Sequence, residues 1–162
     1  NSVGNTEWSP QITLGIEIMI PEFYVSDLNI RMNLYRRLAN LSTREEIEDF
    51  ALELIDRFGT LPEATENLLE TVALKLICRP AGIEKIEAGP KGAVISFKND
   101  NFVNPLGLVE WLTKHRDTAR LRPDQKLIFM RKWDTPGDRI SGLNYIIKNL
   151  TKIASKSEST LT

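Results

Sequence analysis

The chain has 162 residues, of which 41% are apolar and 27% charged, and its formal net charge is −1 at neutral pH. This composition is ordinary for one globular domain, and the balanced charge gives no overall attraction to nucleic acid or to an anionic membrane. Cys78 is the only cysteine, which excludes a disulfide framework and a thiolate metal cluster within this chain and favours a reducing, intracellular location. No stretch approaches the roughly 20 apolar residues that span a membrane.

The first half of the chain predicts one strand followed by three helices. Residues 1–10 are polar and are expected to form a flexible entry. Apolar residues at every second position then predict a strand over residues 12–20. Ser42 and Thr43 each precede a glutamate by three residues, so either can begin a helix with a capping box. The helices are predicted over residues 28–40, 44–58 and about 62–79, with Gly59 as the left-handed residue after the second.

In the second half of the chain the apolar residues recur at a shorter interval. This pattern predicts four short strands and two helices. The strands are expected at 83–88, 94–97, 119–121 and 126–130, and the helices at 105–114 and 136–154. The remaining residues, 155–162, are small and polar and are expected to be a disordered tail. This order predicts an α+β fold in which a small, largely antiparallel sheet is covered by several helices, in a single domain over residues 11–154.

A search for catalytic chemistry finds no consistent site. The segment Gly89-Pro-Lys-Gly92 has glycines but lacks the spacing of a phosphate-binding loop, and a hairpin turn explains it. His115 is the only histidine, so a dyad with Cys78 is the one nucleophilic pair that the chain could form, and no glycine-rich loop flanks that cysteine. We therefore predict no catalytic residue, no cofactor-binding residue and no metal ligand, and expect a protein that is not an enzyme.

One segment has a local excess of positive charge. Residues 114–139 contain eight Lys and Arg against four Asp and Glu. A solvated face is the simpler interpretation, and a weak contact with a nucleic-acid backbone is the alternative. The three tryptophans are not interleaved with arginines as they are in a base-stacking platform.

The predicted helix over residues 44–58 carries the most informative pattern. At about 100° per residue, its apolar stripe faces one way and a set of carboxylates faces the other, with Leu52 among them. Like charges gathered around an apolar side chain suit a basic, partly apolar protein partner, although a merely solvated acidic face is the alternative. The predicted interface residues are Asp49, Leu52, Glu53 and Asp56. Because they lie opposite the apolar stripe, reversing the charges of Glu53 and Asp56 is expected to leave folding nearly intact.

Several short segments also occur in a specific order and spacing. They are 34–39 (LYRRLA), 53–59 (ELIDRFG) with 61–62 (LP), 81–86 (AGIEKI), 91–97 (KGAVISF) and 103–105 (VNP). In this order they resemble the C-terminal domain of the bacterial transcription-repair coupling factor, over roughly residues 10–150. Such a domain is only the last part of a longer, cytoplasmic protein, which agrees with a start at Asn1 rather than methionine and with the missing ATPase motifs.

The resemblance implies a regulatory role. The full-length family protein is an ATP-driven DNA translocase that displaces stalled RNA polymerase and recruits the excision-repair protein UvrA; ATP and magnesium belong to its motor domains. Its C-terminal domain packs on the N-terminal UvrA-binding module and masks it until the protein engages the polymerase. By motif, the family's acidic contacts to that module fall on Glu53 and Asp56. A stand-alone protein-interaction or weak nucleic-acid-binding module, with no motor attached, is the alternative.

Overall fold

A computed structural model describes residues 9–160 of the chain, with side chains described from residue 9 to residue 156. The elements in chain order are β1 (Gln11–Thr13), α1 (Leu28–Ala39), α2 (Arg44–Phe58), α3 (Glu63–Cys78), β2 (Ile83–Gly89), β3 (Gly92–Phe97), α4 (Pro105–Lys114), β4 (Ala119–Leu121), β5 (Leu127–Met130) and α5 (Pro136–Thr160). Single 3-10 turns follow α3 and β3, over Arg79–Ala81 and Lys98–Asp100.

The five strands form one sheet in the order β1-β2-β3-β5-β4. β1 pairs with β2 in parallel, and the other three pairings are antiparallel, as in the register of Ile86 with Ile95 and of Ala93 with Phe129. Side chains alternate across each strand, and those of Ile86, Ile95 and Phe129 are buried. The α+β class and the largely antiparallel sheet are confirmed.

Within this α+β domain the backbone forms two compact units. The first consists of the described residues up to Gly15 and from Ile77 onward, and the second runs from Ile16 to Leu76. The first unit contains the sheet, α4 and α5. The second unit contains α1, α2 and most of α3, and its apolar core consists of Ile20, Val25, Leu34, Leu38, Ile47, Phe50, Leu54, Leu69 and Ala73.

The first strand is much shorter than the alternating pattern predicted. β1 ends at Thr13, and Gly15 has a φ of +67°, a left-handed conformation that interrupts an extended strand. The guanidinium of Arg139 donates hydrogen bonds to the carbonyl oxygens of Leu14, at 2.9 Å, and Gly15, at 3.4 Å. The prediction of a strand over residues 12–20 is therefore wrong beyond residue 13, because those carbonyls bond to a side chain instead of a neighbouring strand.

The two ends of the chain that were predicted to be flexible differ in how much of each the structure describes. α5 continues through Thr160, so residues 155–160 are helical and the prediction of a disordered tail is wrong for them. This segment contains neither glycine nor proline, and without a breaker the helix that begins at Pro136 propagates. Residues 1–8 and 161–162 lie outside the described residues, and with them most of the predicted entry.

The glycine-rich segment between β2 and β3 is a hairpin turn, as predicted. Gly89 pairs with Gly92, which leaves Pro90 and Lys91 as the two loop residues. Gly92 has a φ of +130°, and a Cβ there would collide with the carbonyl oxygen of Phe129 on the neighbouring strand. Glycine is required at this position both by its backbone angle and by the close approach of β5.

Candidate protein interface

The N-terminus of α2, the helix that carries the predicted interface residues, is capped by hydrogen bonds. The hydroxyl oxygen of Thr43 accepts a hydrogen bond from the backbone N–H of Glu46 at 3.1 Å, and the Glu46 carboxylate accepts one from the backbone N–H of Ser42 at 2.7 Å. Of the two capping boxes that the sequence allowed, the one that begins at Thr43 is formed. The hydrogen bond from Ser42 lowers the pKa of Glu46 below its usual value.

The opposite end of α2 is held by Tyr24. Its hydroxyl donates to the carbonyl oxygen of Gly59 at 2.7 Å and lies 3.1 Å from that of Leu54. Gly59 takes a φ of +95°, and its N–H donates to the carbonyl oxygen of Ile55 at 2.9 Å. Both ends of the helix are therefore fixed, and the direction of each side chain follows from its position along the helix.

The inward side of α2 is apolar. Ile47, Phe50 and Leu54 are buried at intervals of three and four residues and pack with α1 and α3 in the core of the second unit. Burying side chains of this size contributes on the order of 2 kcal/mol each. The orientation of the helix is thus set by its buried face, which leaves the opposite face to solvent.

We call that opposite side the acidic face of α2. It consists of Glu45, Glu48, Asp49, Leu52, Ile55 and Asp56. All six are exposed, and the two apolar members, Leu52 and Ile55, keep 64% and 44% of their full accessible area. Positions three and four residues apart lie next to one another on a helix. Leu52 therefore stands between Asp49 on one side and Ile55 and Asp56 on the other.

Three carboxylates of the acidic face have no neutralising partner nearby. Within residues 9–156, none of Glu45, Asp49 and Asp56 has a Lys, Arg or His nitrogen within 4.0 Å. Glu48 is 3.5 Å from the guanidinium of Arg44, a pair in which both side chains are more than half exposed. Exposed pairs of this kind contribute little. The centre of the face therefore combines uncompensated negative charge with exposed apolar area.

Glu53 has a different environment from the other predicted residues. Arg37 of α1 contacts it with both terminal nitrogens, at 2.6 and 2.8 Å, and Arg57 contacts it at 2.9 Å. The guanidinium of Arg37 also lies over the ring of Phe50, 5.2 Å from its centre. Hydrogen bonds from Arg37, and then from Arg57, lower the pKa of Glu53 to about 2. This carboxylate is committed to an ion-pair network between α1 and α2.

The structure thus brings three of the four predicted interface residues together. Asp49, Leu52 and Asp56 share the acidic face, whereas Glu53 lies at its edge, with 33% of its side chain exposed. Ile55 was not among the predicted interface residues, and it adds a second apolar side chain to the acidic face. Its position three residues after Leu52 was the available signal, because that spacing places two helical residues side by side.

The two residues considered for a catalytic dyad lie at the ends of two different helices, Cys78 in α3 and His115 after α4. Cys78 is fully buried at the end of α3. His115 caps α4, where its ring stacks on Trp111 at a centroid distance of 3.9 Å and its Nδ1 lies 2.8 Å from the Trp111 carbonyl oxygen. Among residues 9–160 no group of three His, Cys, Asp or Glu side chains could hold a metal ion. No helix in that range combines the length and apolar character needed to cross a membrane.

Comparison with known proteins gives a consistent result. A model of the TRCF domain family matches residues 14–108. The transcription-repair-coupling factor of Rickettsia conorii is 36% identical over 152 residues, 93% of this chain, and that of Escherichia coli is 32% identical over 149 residues, 92% of this chain. The chain spans about 13% of the length of these curated relatives. A crystal structure described as the C-terminal domain of transcription-repair coupling factor has the same fold, with a TM-score of 0.75 and 21% identity over 93% of this chain and 97% of that one.

Proposed function

The chain belongs to the transcription-repair coupling factor family, and we propose that it is a non-catalytic regulatory domain whose acidic face holds the parent protein closed. In this proposal the face docks on the N-terminal UvrA-binding module of the same protein and masks it. Engagement of stalled RNA polymerase releases the contact, and UvrA is then recruited. The protein works in the bacterial cytoplasm, and its contacts with UvrA, polymerase and DNA are made through the parent.

One observation carries this proposal: exposed apolar side chains stand between carboxylates that have no partner of their own. Leu52 is 64% exposed, and Asp49 and Asp56 beside it make no ion pair within the described side chains. A single exposed leucine is common on protein surfaces. A leucine with Ile55 beside it and uncompensated charge on both sides is what a partner with arginines and an apolar patch would complement.

In this proposal the acidic residues have different roles, which their contacts support. An ionised carboxylate accepts about four hydrogen bonds, and Glu53 already receives three from Arg37 and Arg57. A partner arginine that approached Glu53 would also meet the positive charge of those two side chains. We therefore assign the main electrostatic attraction to Asp49 and Asp56, and treat Glu53 as the residue that fixes α2 against α1.

The mechanism is a competition between two states of the parent protein. A contact made of two charge-assisted hydrogen bonds and two apolar side chains is strong enough to bias a closed state and small enough to be reversed. A difference of about 1.4 kcal/mol changes the ratio of closed to open protein tenfold. Moderate interaction strength is therefore an advantage for a switch of this kind.

The absence of catalysis is part of the proposal. The chain matches about 13% of the length of its curated relatives, and in this proposal ATP hydrolysis belongs to the parent's motor domains. We expect the purified 162-residue chain to show no ATPase, nuclease or translocase activity. ATP turnover that copurifies with the chain and disappears in Lys91→Ala would contradict this expectation, since that lysine lies in the hairpin turn.

The experiment that tests the regulatory function compares UvrA capture by two forms of the full-length protein. The first form is wild type, and the second carries Asp49→Lys with Asp56→Lys. The proposal predicts that the double variant captures more UvrA, because repulsion from the module's arginines opens the mask. Unchanged capture by a correctly folded double variant would contradict it.

A further inference from the structure

The sheet has one side that packs on a helix and one side that stays accessible. The ring of Trp111 on α4 lies 5.8 Å from the ring of Phe129 on β5, which places α4 on the side to which Phe129 points. Successive side chains of a strand point to opposite sides of a sheet. Ile128 and Met130 of β5 therefore point away from α4, and so does Val94, which is paired with Ile128. We call this side the outer face of the sheet.

The apolar side chains of the outer face lie next to one another. Val94 and Ile128 are directly opposite in the register of β3 with β5, and Met130 is opposite Gly92. Gly92 is in turn paired with Gly89 of β2, so the side chain of Met130, which is 38% exposed, has no neighbouring side chain in this row. An antiparallel sheet with one solvated face normally carries polar side chains there. The apolar cluster is therefore an exception that needs a reason.

The pair of glycines leaves a depression in the outer face. It forms a groove of about 410 Å³, which we call the sheet groove. A Cβ atom at Gly89 would meet no atom within 4 Å, so the space above this residue is open. A concave, largely apolar surface accommodates a projecting apolar group. The groove is lined by Glu87, Gly89, Gly92, Val94, Ile128 and Met130, among others.

Three cations stand around the apolar cluster. Lys91, in the hairpin turn, also lines the sheet groove, and Arg120 of β4 is paired with Ile128 in the register. The ammonium of Lys126 donates a hydrogen bond to the hydroxyl oxygen of Ser96 at 3.3 Å. Among the side chains of residues 9–156, no carboxylate oxygen lies within 4.0 Å of the charged nitrogens of these three cations.

The carboxylate of Glu87 does not neutralise this charge. It lies 3.7 Å from the ammonium of Lys85, and the two side chains are 59% and 47% exposed. This pair compensates itself, so the surroundings of the groove keep the positive charge of Lys91, Arg120 and Lys126. The outer face thus combines an apolar depression with a rim of one sign of charge.

We propose that the sheet groove binds an acidic segment of another protein, in which a large apolar side chain lies between carboxylates. The apolar side chain enters the groove above the glycine pair, and the carboxylates accept hydrogen bonds from Lys91, Arg120 and Lys126. Protein interfaces commonly join an apolar anchor in a pocket to a polar rim, and complementary charges select the partner. This surface belongs to the first unit and is independent of the regulatory role proposed for α2.

Two other ligands of basic surfaces fit this face less well. Open sheets that bind single-stranded nucleic acid stack its bases on aromatic side chains, whereas the outer-face side chains that line this groove, Val94, Ile128 and Met130, are aliphatic. Attachment to a bilayer needs apolar side chains that project into it. Here the apolar side chains surround a depression, which suits a group that projects from the partner.

The test begins with the chemistry of the ligand. The complete chain serves as bait for a library of short random peptides displayed on phage, and an enriched peptide is then titrated into the isotopically labelled chain and followed by NMR. We expect the enriched peptides to contain more Asp and Glu than Lys and Arg, together with a large apolar residue. The amide signals of Gly89, Val94 and Met130 should shift, and those of α2 should not. Affinity should fall as salt rises, because the charges are screened.

A variant that fills the groove tests the apolar contact. Gly89→Leu should lower the affinity of the enriched peptide about tenfold or more, because the leucine occupies the space that the anchor needs. Gly89→Ala is the matched control, since it changes the same position by one methyl group, and it should stay within about threefold. Circular dichroism and thermal unfolding verify that both variants fold.

A second pair of variants tests the rim and does not depend on the folding of Gly89→Leu. Lys91→Glu with Arg120→Glu reverses two exposed charges beside the groove and should also lower affinity about tenfold or more. Lys114→Glu with Arg116→Glu reverses two exposed charges elsewhere in the same unit. This control should stay within about threefold, unless net charge alone determines binding.

Several outcomes would overturn the proposal. Failure to enrich any peptide, or enrichment of peptides without an excess of carboxylates, would contradict the proposed ligand. Undiminished binding by Gly89→Leu, or an equal loss in the two charge-reversal variants, would show that the sheet groove is not the site. Tighter binding of the wild-type chain to phosphatidylserine vesicles or to single-stranded DNA than to the enriched peptide would identify a membrane or a nucleic acid as the better ligand.

Discussion

Arg37 and Glu53 form a bidentate ion pair between α1 and α2, with nitrogen–oxygen distances of 2.6 and 2.8 Å. Arg57 binds the same carboxylate from the next turn of α2, at 2.9 Å. The pair gives Glu53 a different environment from Asp49 and Asp56, which make no ion pair within the described side chains. It also changes the expected effect of charge reversal at this position.

Glu53→Gln should lower the free energy of unfolding by about 0.5 to 1 kcal/mol at neutral pH, because it weakens a partly exposed bidentate pair. Glu53→Lys should lower the free energy of unfolding further, since it places a third cation beside Arg37 and Arg57. For Glu53 we therefore expect a measurable loss of stability, in contrast to the expectation from sequence that this reversal leaves folding nearly intact. Asp56→Asn is the matched control and should change stability by less than about 0.5 kcal/mol. Urea denaturation of the isolated chain decides between them.

The contribution of Glu53 should depend on pH in a defined direction. Its folded pKa is about 2, below the usual value of 4.5, so the stabilisation is complete above the unfolded pKa and is lost as pH falls toward the folded pKa. The difference in stability between wild type and Glu53→Gln should be constant above pH of about 5 and shrink progressively below it. A difference that stays constant down to pH of about 2 would show that the carboxylate is not held by these arginines.

Leu52→Ala should weaken the closed state of the full-length protein with little dependence on salt. The change removes apolar contact and no charge, so screening by salt affects it less than it affects Asp49→Lys with Asp56→Lys. UvrA capture measured from about 50 to 300 mM salt separates the two effects. Leu106→Ala on α4, where the leucine is 83% exposed, is the control. An equal effect at Leu106 would mean that exposed leucines in general, rather than the acidic face, influence the switch.

Gly92→Ala should destabilise the sheet by about 1 to 3 kcal/mol or prevent folding, because a Cβ collides with the Phe129 carbonyl and the φ of +130° is unfavourable for alanine. Gly89→Ala, in the register position opposite, meets no atom within 4 Å. It should therefore retain nearly all of the stability. Thermal unfolding of the two variants side by side measures the contrast. Equal loss in both would mean that the hairpin is sensitive to glycine replacement in general.

The helices were predictable because their end signals are local. The bounds of α2 and α4 agree with the sequence, since Thr43 and Asn104 accept the hydrogen bonds expected of N-caps. The prediction of a strand over residues 12–20 was wrong because an alternating pattern does not reveal the positive φ of Gly15. Nor does it reveal that the guanidinium of Arg139 donates hydrogen bonds to the carbonyl oxygens of residues 14 and 15. Those carbonyls are more than 120 residues away from their partner in the sequence.

The candidate interface was predictable in part for the same reason. Helical spacing places Asp49, Leu52 and Asp56 on one face without any tertiary information. The same spacing identifies Arg57 as a partner of Glu53, but it cannot show that α1 brings Arg37 to the same carboxylate. Tertiary packing therefore separates Glu53, which is bound by Arg37, from the three predicted residues that remain exposed on the acidic face.

The proposed regulatory role depends most directly on whether the acidic face binds the N-terminal module of the parent protein. The deciding measurement is a calorimetric titration of this chain with that module, expressed separately, for wild type, for Asp49→Lys with Asp56→Lys, and for a control with Glu84→Lys and Glu110→Lys, two exposed glutamates outside the face. We predict saturable binding by wild type and by the control, and a loss of at least tenfold, about 1.4 kcal/mol, in the double variant at the acidic face. Equal affinity of all three proteins, with folding unchanged, would contradict the proposal that the acidic face holds the closed state.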